Sequence, residues 1–277
     1  MDTIKKVLNI AHRGARSLAP ENTIAAARKA LEIGADMWEM DVAMSADGEL
    51  VVIHDDTLNR TSNAPVLFSN RKPLKIQNFT LNELRLLDFG SWFNNTDPFK
   101  QIQAGNISVE EMHSYVGLQI PTLEEALVFT RDNNWRINVE IKDLKGTKGD
   151  AVIVQKVVKM VEDLGMIHKV LISSFQHNYL KQVREINPLI DTGALIEWLD
   201  IDPIKTLSKA QANAYHPGTR LINAKTIRLI REKGYEINVW TVNKESSMRK
   251  LIKAGATGII TDFPQVFKGV MAMFEHD

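Results

Sequence analysis

The chain contains no cysteine. That absence excludes disulfides, thiolate zinc sites and thiol nucleophiles, and it leaves the redox compartment open. It also lacks an excess of either charge: 34 Lys and Arg balance 34 Asp and Glu, for a formal net charge of zero. No broad positive field exists to attract a polyanion, so nucleic acid is not an expected partner, and an anionic substrate must be captured by a few local residues. Long hydrophobic runs are missing too. No window approaches 18 apolar residues, so no membrane span is expected. Met1 to Val7 carry Lys5 and Lys6 and lead into Leu8 to Ala11 and then His12-Arg13 without the apolar core of a signal peptide, which makes a cytoplasmic location the expectation.

What is present is an ordinary globular composition, 44% hydrophobic and 25% charged, in 277 residues. Two domains would fit that length on average, but single α/β barrels of about 250 residues are a standing exception. Short β-rich runs alternate with amphipathic stretches. Strands are expected at 7–11, 36–43, 136–142, 169–174, 191–196, 213–216, 236–241 and 257–260. Val154, Val157, Val158, Val161 and Leu164 repeat at helical spacing within 150–164. A helix over 22–33 has Asn22 as its expected N-cap and Gly34 just past its end. Strands separated by helices must run parallel, because each crossover needs a dozen or more residues. Eight such units predict a closed (β/α)8 TIM barrel, with an open doubly wound sheet as the alternative.

One connection breaks the rhythm. Ser45-Ala46-Asp47-Gly48 is too short to cross over, and Asp-Gly favours a hairpin. The run 50–54 is therefore expected to return antiparallel to 36–43 and bring His54 back to the barrel mouth. Residues 55–120, rich in asparagine and scattered aromatics, are too apolar for a linker and too irregular for barrel units. They read as an insertion after the His54 strand, within a single domain spanning 1–277, on the C-terminal face where long loops shape active sites.

Barrel chemistry sits at the C-terminal ends of strands. His12-Arg13-Gly14 follows the first strand: an imidazole suited to proton transfer, a guanidinium suited to an anion, and a turn glycine. Alternation places Glu39 and Asp41 on one face of their strand, roughly 6.6–7 Å apart along it, with Trp38 and Met40 facing the helices. Two inward carboxylates repel unless a cation joins them, and a hard oxygen-ligated ion, Mg²⁺ or Ca²⁺, is the economical solution; the competing reading pairs one with Lys or Arg and exposes the other. Glu140 and Lys142 share a face at the end of their strand, as a third carboxylate and an anion contact or as a plain salt bridge. His54-Asp55-Asp56 ends the return strand. A pair of histidines would then flank one acidic site.

These segments carry a resemblance. His12-Arg13-Gly14, Pro20-Glu21-Asn22-Thr23, Glu39-Met40-Asp41-Val42, His54-Asp55-Asp56-Thr57-Leu58, Glu140-Ile141-Lys142 and Val239-Trp240-Thr241-Val242-Asn243 occur in the order typical of glycerophosphodiester phosphodiesterases. From His12 to about Pro264 the chain resembles that family, including its inserted subdomain. The resemblance implies His12 and His54 as the general acid/base pair. It implies Glu39, Asp41 and Glu140 as ligands of one divalent cation, Arg13 and Lys142 as phosphate contacts, and Trp240 as a pocket wall. The implied reaction is metal-dependent hydrolysis of a small glycerophosphodiester to glycerol 3-phosphate and an alcohol. A related lipid phosphodiesterase, acting on lysophospholipids or sphingomyelin, could share that core. A two-carboxylate glycoside hydrolase and a non-catalytic barrel are the readings from outside the class. A homo-oligomer is an open possibility. Phe175 and His216 lie at strand ends, where each either lines the site or serves packing or surface; Asp262 is expected as a helix N-cap, and His113, His168, His177 and His276 receive no role.

Overall fold

The computed structural model describes residues 6–274. Nine strands form one sheet: β1 (Leu8–Ala11), β2 (Met37–Met44), β3 (Leu50–Val52), β4 (Ile137–Ile141), β5 (Val170–Ser174), β6 (Asp191–Ile196), β7 (Ala214–Pro217), β8 (Glu236–Val239) and β9 (Gly258–Thr261). Eight of them are parallel and close on themselves, because β1 pairs with both β2 and β9. Helices connect the parallel strands and cover the outside, which makes the fold a (β/α)8 barrel. The expected strands agree with these to within two residues. No helix among the described residues is long and apolar enough to cross a membrane.

Period-2 alternation decides which side chains enter the barrel. On β2, Trp38, Met40 and Val42 join the large apolar layer between sheet and helices, where Trp38 stacks on Trp135 with ring centroids 6.4 Å apart. Glu39 and Asp41 take the alternate positions and are buried inside the barrel. The helix Ile153–Asp163 buries Ile153, Val154, Val157, Val158 and Val161, the face marked out by the sequence spacing.

The hairpin forms as expected. Antiparallel β3 pairs Val42 with Val52 and Met44 with Leu50, and Ile53 N–H donates to the Asp41 carbonyl at 3.0 Å. The ladder thus delivers His54 to the mouth beside Asp41. After it comes irregular chain with four short helices, Ala64–Leu67, Leu81–Leu84, Ser91–Thr96 and Val109–Tyr115. Most of its aromatics are core. Phe79 and Phe89 pack with Val51, Ile53 and Ile120 over the hairpin, and Phe93 and Tyr115 pack on Leu18, Ala19 and Ala26. A hydrogen bond from Tyr115 Oη to the Leu18 carbonyl, 2.9 Å, ties this segment to the loop after β1.

Two capping expectations need correction. Thr23, not Asn22, caps the helix Ile24–Ile33: its hydroxyl accepts from Ala26 N–H, while Gly34 ends the helix at φ +85°. Asn22 instead sits at φ +58° and turns its amide into the barrel. Asp262 does not cap the last helix, Pro264–Phe274. The N–H groups of Val266 and Phe267 donate to the Phe263 carbonyl, while the Asp262 carboxylate is engaged by His12 and Asn243.

The turn after β1 depends on Gly14. It has φ +79°, and a Cβ there would lie 2.6 Å from the Ala26 carbonyl carbon. Gly14→Ala is expected to cost at least ~1–3 kcal/mol of stability through backbone strain alone, seen as a lower Tm. An unchanged Tm would show that the turn relaxes away from the helix.

Candidate active site

The C-terminal mouth of the barrel opens into a cavity of about 490 Å³. His12, Arg13, Glu39, His54, Glu140, Lys142 and Trp240 all line it. Asp41 lies at its base: one oxygen from each of Glu39, Asp41 and Glu140 falls within 4.8 Å of the others. The sheet register explains this meeting, since Asp41 pairs directly with Glu140 and Glu39 with Asn138 on the neighbouring strand. All eight side chains singled out in the sequence therefore converge.

Three buried carboxylates this close cannot all ionise without compensation. Burial pushes Glu39 well above the usual carboxylate range, and Asp41 and Glu140 push it further. Burial and then Asp41 raise Glu140 as well. Asp41 goes the other way. Burial opposes its ionisation, but Lys142 and Arg13 outweigh that and hold it well below the ordinary value. Lys142 Nζ donates to Glu140 at 2.8 Å and lies 3.4 Å from Asp41. Arg13 Nε lies 3.3 Å from Asp41 but is out of line for a hydrogen bond, so that contact is an ion pair. Asn22 completes the cage, donating to Asp41 Oδ2 at 2.9 Å and accepting from Asp41 N–H. Two cations against three carboxylates leave a deficit of one positive charge. An all-oxygen donor set with that deficit fits a hard divalent ion.

Both histidines are oriented by an aspartate. His12 Nδ1 is 2.6 Å from Asp262 Oδ1, and His54 Nδ1 is 2.7 Å from Asp55 Oδ1. Such contacts with carboxylates require the proton on Nδ1, which leaves Nε2 as the working nitrogen of each ring. His12 Nε2 lies 4.0 Å from Glu39. Burial, and then Arg13, lower the His12 pKa against the opposing pull of Asp262. Asn243 fixes the other Asp262 oxygen through a 2.6 Å hydrogen bond.

Behind both pairs lies a residue that carried no role in the sequence. Glu21 is buried and gathers three arginines: Arg13 at 2.8 Å, Arg16 at 2.7 Å and Arg60 at 2.7 Å. Arg60 also grips Asp55, and Arg16 lies 3.6 Å from Asp262. Burial alone would raise the Glu21 pKa, but Arg60, Arg13 and Arg16 bring it down to about 2. Asp262 and Asp55 were findable, the first as a carboxylate at a strand end and the second as the neighbour of His54. Glu21, Arg16 and Arg60 were not, because they lie in loops whose mutual approach only the closed fold sets.

Of the weaker expectations, Phe175 does line the cavity and meets Trp240 edge-on, with ring centroids 5.6 Å apart. Trp240 is fixed by Nε1–H donating to the His216 carbonyl at 2.7 Å. The His216 imidazole does not line the cavity. It is buried in the barrel against Gly193, where burial lowers its pKa to about 3. His113, His168 and His177 are absent from the cavity lining, and His276 lies outside the described residues.

Comparison with known proteins identifies a family. A profile of the Glycerophosphoryl diester phosphodiesterase family matches residues 12–266. The chain is 34% identical to a glycerophosphodiester phosphodiesterase of Caldanaerobacter subterraneus subsp. tengcongensis over 94% of this chain and 96% of that one. It is 31% identical to a glycerophosphodiester phosphodiesterase of Bacillus subtilis, over 96% and 86% respectively. A phosphodiesterase of Oleispira antarctica, solved in complex with the product sn-glycerol-3-phosphate, superposes with a TM-score of 0.76 at 26% identity, covering 95% of this chain and 96% of that one.

Glu21 supplies a pH-dependent prediction. Its folded pKa, about 2, is below the 4.5 of an ordinary glutamate, so its contribution is complete above about pH 4.5 and disappears as pH falls towards 2. Glu21→Gln is expected to lower stability at pH 7 by roughly 3–5 kcal/mol, the cost of breaking a buried ion pair. The Tm gap between wild type and variant should narrow steadily below pH 4.5. A gap independent of pH would mean that Glu21 contributes packing rather than charge.

Proposed function

The chain belongs to the glycerophosphoryl diester phosphodiesterase family and is an enzyme of that class, and we propose that it hydrolyses small glycerophosphodiesters to glycerol 3-phosphate and an alcohol using one divalent cation and two histidines. The observation that carries this reading is the convergence of three buried carboxylates with two Asp-oriented imidazoles around one cavity. The product bound to the Oleispira antarctica relative supports glycerol 3-phosphate as the retained half.

Glu39, Asp41 and Glu140 would hold the cation, Mg²⁺ or Ca²⁺. When bound it supplies Lewis-acid polarisation of a phosphate oxygen. The residues of the chain account for the rest. Arg13 and Lys142, already drawn to the carboxylates, stand where a phosphate adds negative charge, and share it. The Nε2 of one histidine accepts the proton of the attacking hydroxyl as the new O–P bond forms. The Nε2 of the other donates a proton to the departing alcohol oxygen as the old P–O bond breaks. Asp262 and Asp55 keep each ring in the required tautomer and stabilise its protonated form. The attacking hydroxyl is water or a hydroxyl of the substrate's own glycerol, which would pass through a cyclic phosphate. Trp240 and Phe175 wall the pocket on the apolar side.

The test is release of glycerol 3-phosphate from a panel of glycerophosphodiesters, with and without EDTA. Activity should vanish with the chelator and return with Mg²⁺ or Ca²⁺, and the same ion should raise Tm in a concentration-dependent way. Full turnover in excess EDTA would remove the cation from the mechanism. His12→Ala and His54→Ala are each expected to lower turnover by ~10²–10⁴-fold. A near-wild-type rate in either variant would break the pair.

A further inference from the structure

Two aromatic side chains of the inserted segment have no part in the chemistry above. Trp92 lies on the helix Ser91–Thr96 and Phe99 in the turn after it. Each covers the guanidinium of one arginine: Arg60 Cζ is 5.8 Å from the Trp92 ring centre, and Arg16 Cζ is 5.2 Å from that of Phe99. Both contacts fall within the ~6 Å reach of a cation–π interaction. Neither aromatic lines the cavity.

Those two arginines are the ones that reach the aspartates behind the histidines. Arg60 donates through Nε and Nη2 to Asp55, at 2.7 and 2.9 Å. It donates through Nη1 and Nη2 to Glu21, at 3.0 and 2.7 Å. Carboxylates thus take the edges of the guanidinium plane and leave a flat face for Trp92 to cover. Trp92 is itself fixed, its Nε1–H donating to the Phe89 carbonyl at 2.9 Å. Arg16 lies 2.7 Å from Glu21 and 3.6 Å from Asp262. Phe99 also meets Phe263, the neighbour of Asp262, edge-on with ring centroids 5.5 Å apart. Two lines of contact therefore run side by side, Trp92–Arg60–Asp55–His54 and Phe99–Arg16–Asp262–His12, and Glu21 joins them at the arginines.

The physical need for such a roof is plain. An arginine carries about 2 kcal/mol of rotamer entropy, and the Arg60 side chain is 40% exposed. Left open, it would swing away from Asp55 and release His54. Any apolar side chain could fill the space, but holding a guanidinium in one plane calls for a π face. We propose that Trp92 and Phe99 are positioning residues for the two histidines: each holds one arginine against Glu21, and that arginine holds the aspartate that orients one imidazole. The inserted segment thereby sets the rate of proton transfer at the barrel mouth without touching substrate. This rests on the phosphodiesterase reading above.

The experiment measures kcat, KM and Tm, on the best substrate of the glycerophosphodiester panel, for wild type and six variants. These are Trp92→Leu, Phe99→Leu, Trp92→Phe, Phe99→Tyr, Arg60→Met, and Trp92→Leu combined with Arg60→Met. Each leucine variant should lose ~2–30-fold in kcat, the ~0.5–2 kcal/mol of a cation–π contact at about 1.4 kcal/mol per tenfold, with KM within about twofold of wild type. Trp92→Phe and Phe99→Tyr keep a π face and should recover most of that rate. Arg60→Met should lose ~10–100-fold, the scale typical of outer-shell partners. In its background Trp92→Leu should cost less than about twofold more, because the route to His54 is already cut. Four results would each overturn the positioning role, whatever the change in Tm, and leave the phosphodiesterase reading standing. They are a kcat within twofold of wild type in either leucine variant, a loss confined to KM, equal losses in the leucine and aromatic variants, and losses that multiply in the double variant. A wild type inactive on the whole panel would overturn both.

Discussion

Everything at the barrel mouth answers to one electrostatic constraint: Glu39, Asp41 and Glu140 are buried within 4.8 Å of one another. In a low-dielectric setting, like charges this close are tolerated only with cations at hand. Lys142 and Arg13 are placed to supply them, yet they leave the trio under-compensated. The consequence is local tension that an added positive charge would relieve. Asn22 and Arg13 hold left-handed backbone conformations in order to reach this cluster. Such strain concentrates where surrounding structure fixes it for a purpose.

A second tier keeps the first in place. Glu21 binds three arginines, two of which reach on to the carboxylates that orient His12 and His54. One buried anion therefore links the loop after β1, the cavity-lining Arg13 and the segment after the hairpin. Arg60 belongs to that inserted segment, whose own apolar clusters anchor it to the hairpin and to the first helix. The inserted chain is thus mechanically part of the site. Its aromatic residues Phe79, Phe89, Phe93 and Tyr115 are consumed by that anchoring.

The barrel interior divides the pocket. Strands β1, β2 and β4 contribute the charged wall, while Phe175, Leu195, Trp240 and Ile260 contribute the apolar one. Under the proposed function this asymmetry would set a phosphodiester with its phosphate against the cations and its carbon against the aromatics. Polar interior residues fit because small partners make room: a Cβ on Gly193 would strike His216, and one on Gly258 would strike Asn238.

The sequence by itself determined the strand-helix alternation, the hairpin at Asp47-Gly48, and the sharing of one face by Glu39 and Asp41 and by Glu140 and Lys142. These are local matters, fixed by period-2 geometry and turn chemistry within a few residues. It misread Asn22 and Asp262 as helix caps, because short polar side chains before a helix have that local preference and their distant partners, Asp41 and His12, are invisible along the chain. Only the tertiary structure decided that Asp41 faces Glu140 across two strands and that Glu21 meets Arg60 from 39 residues away. Those facts depend on barrel closure and sheet register, which are set by the packing of the whole chain and not by any one segment of it.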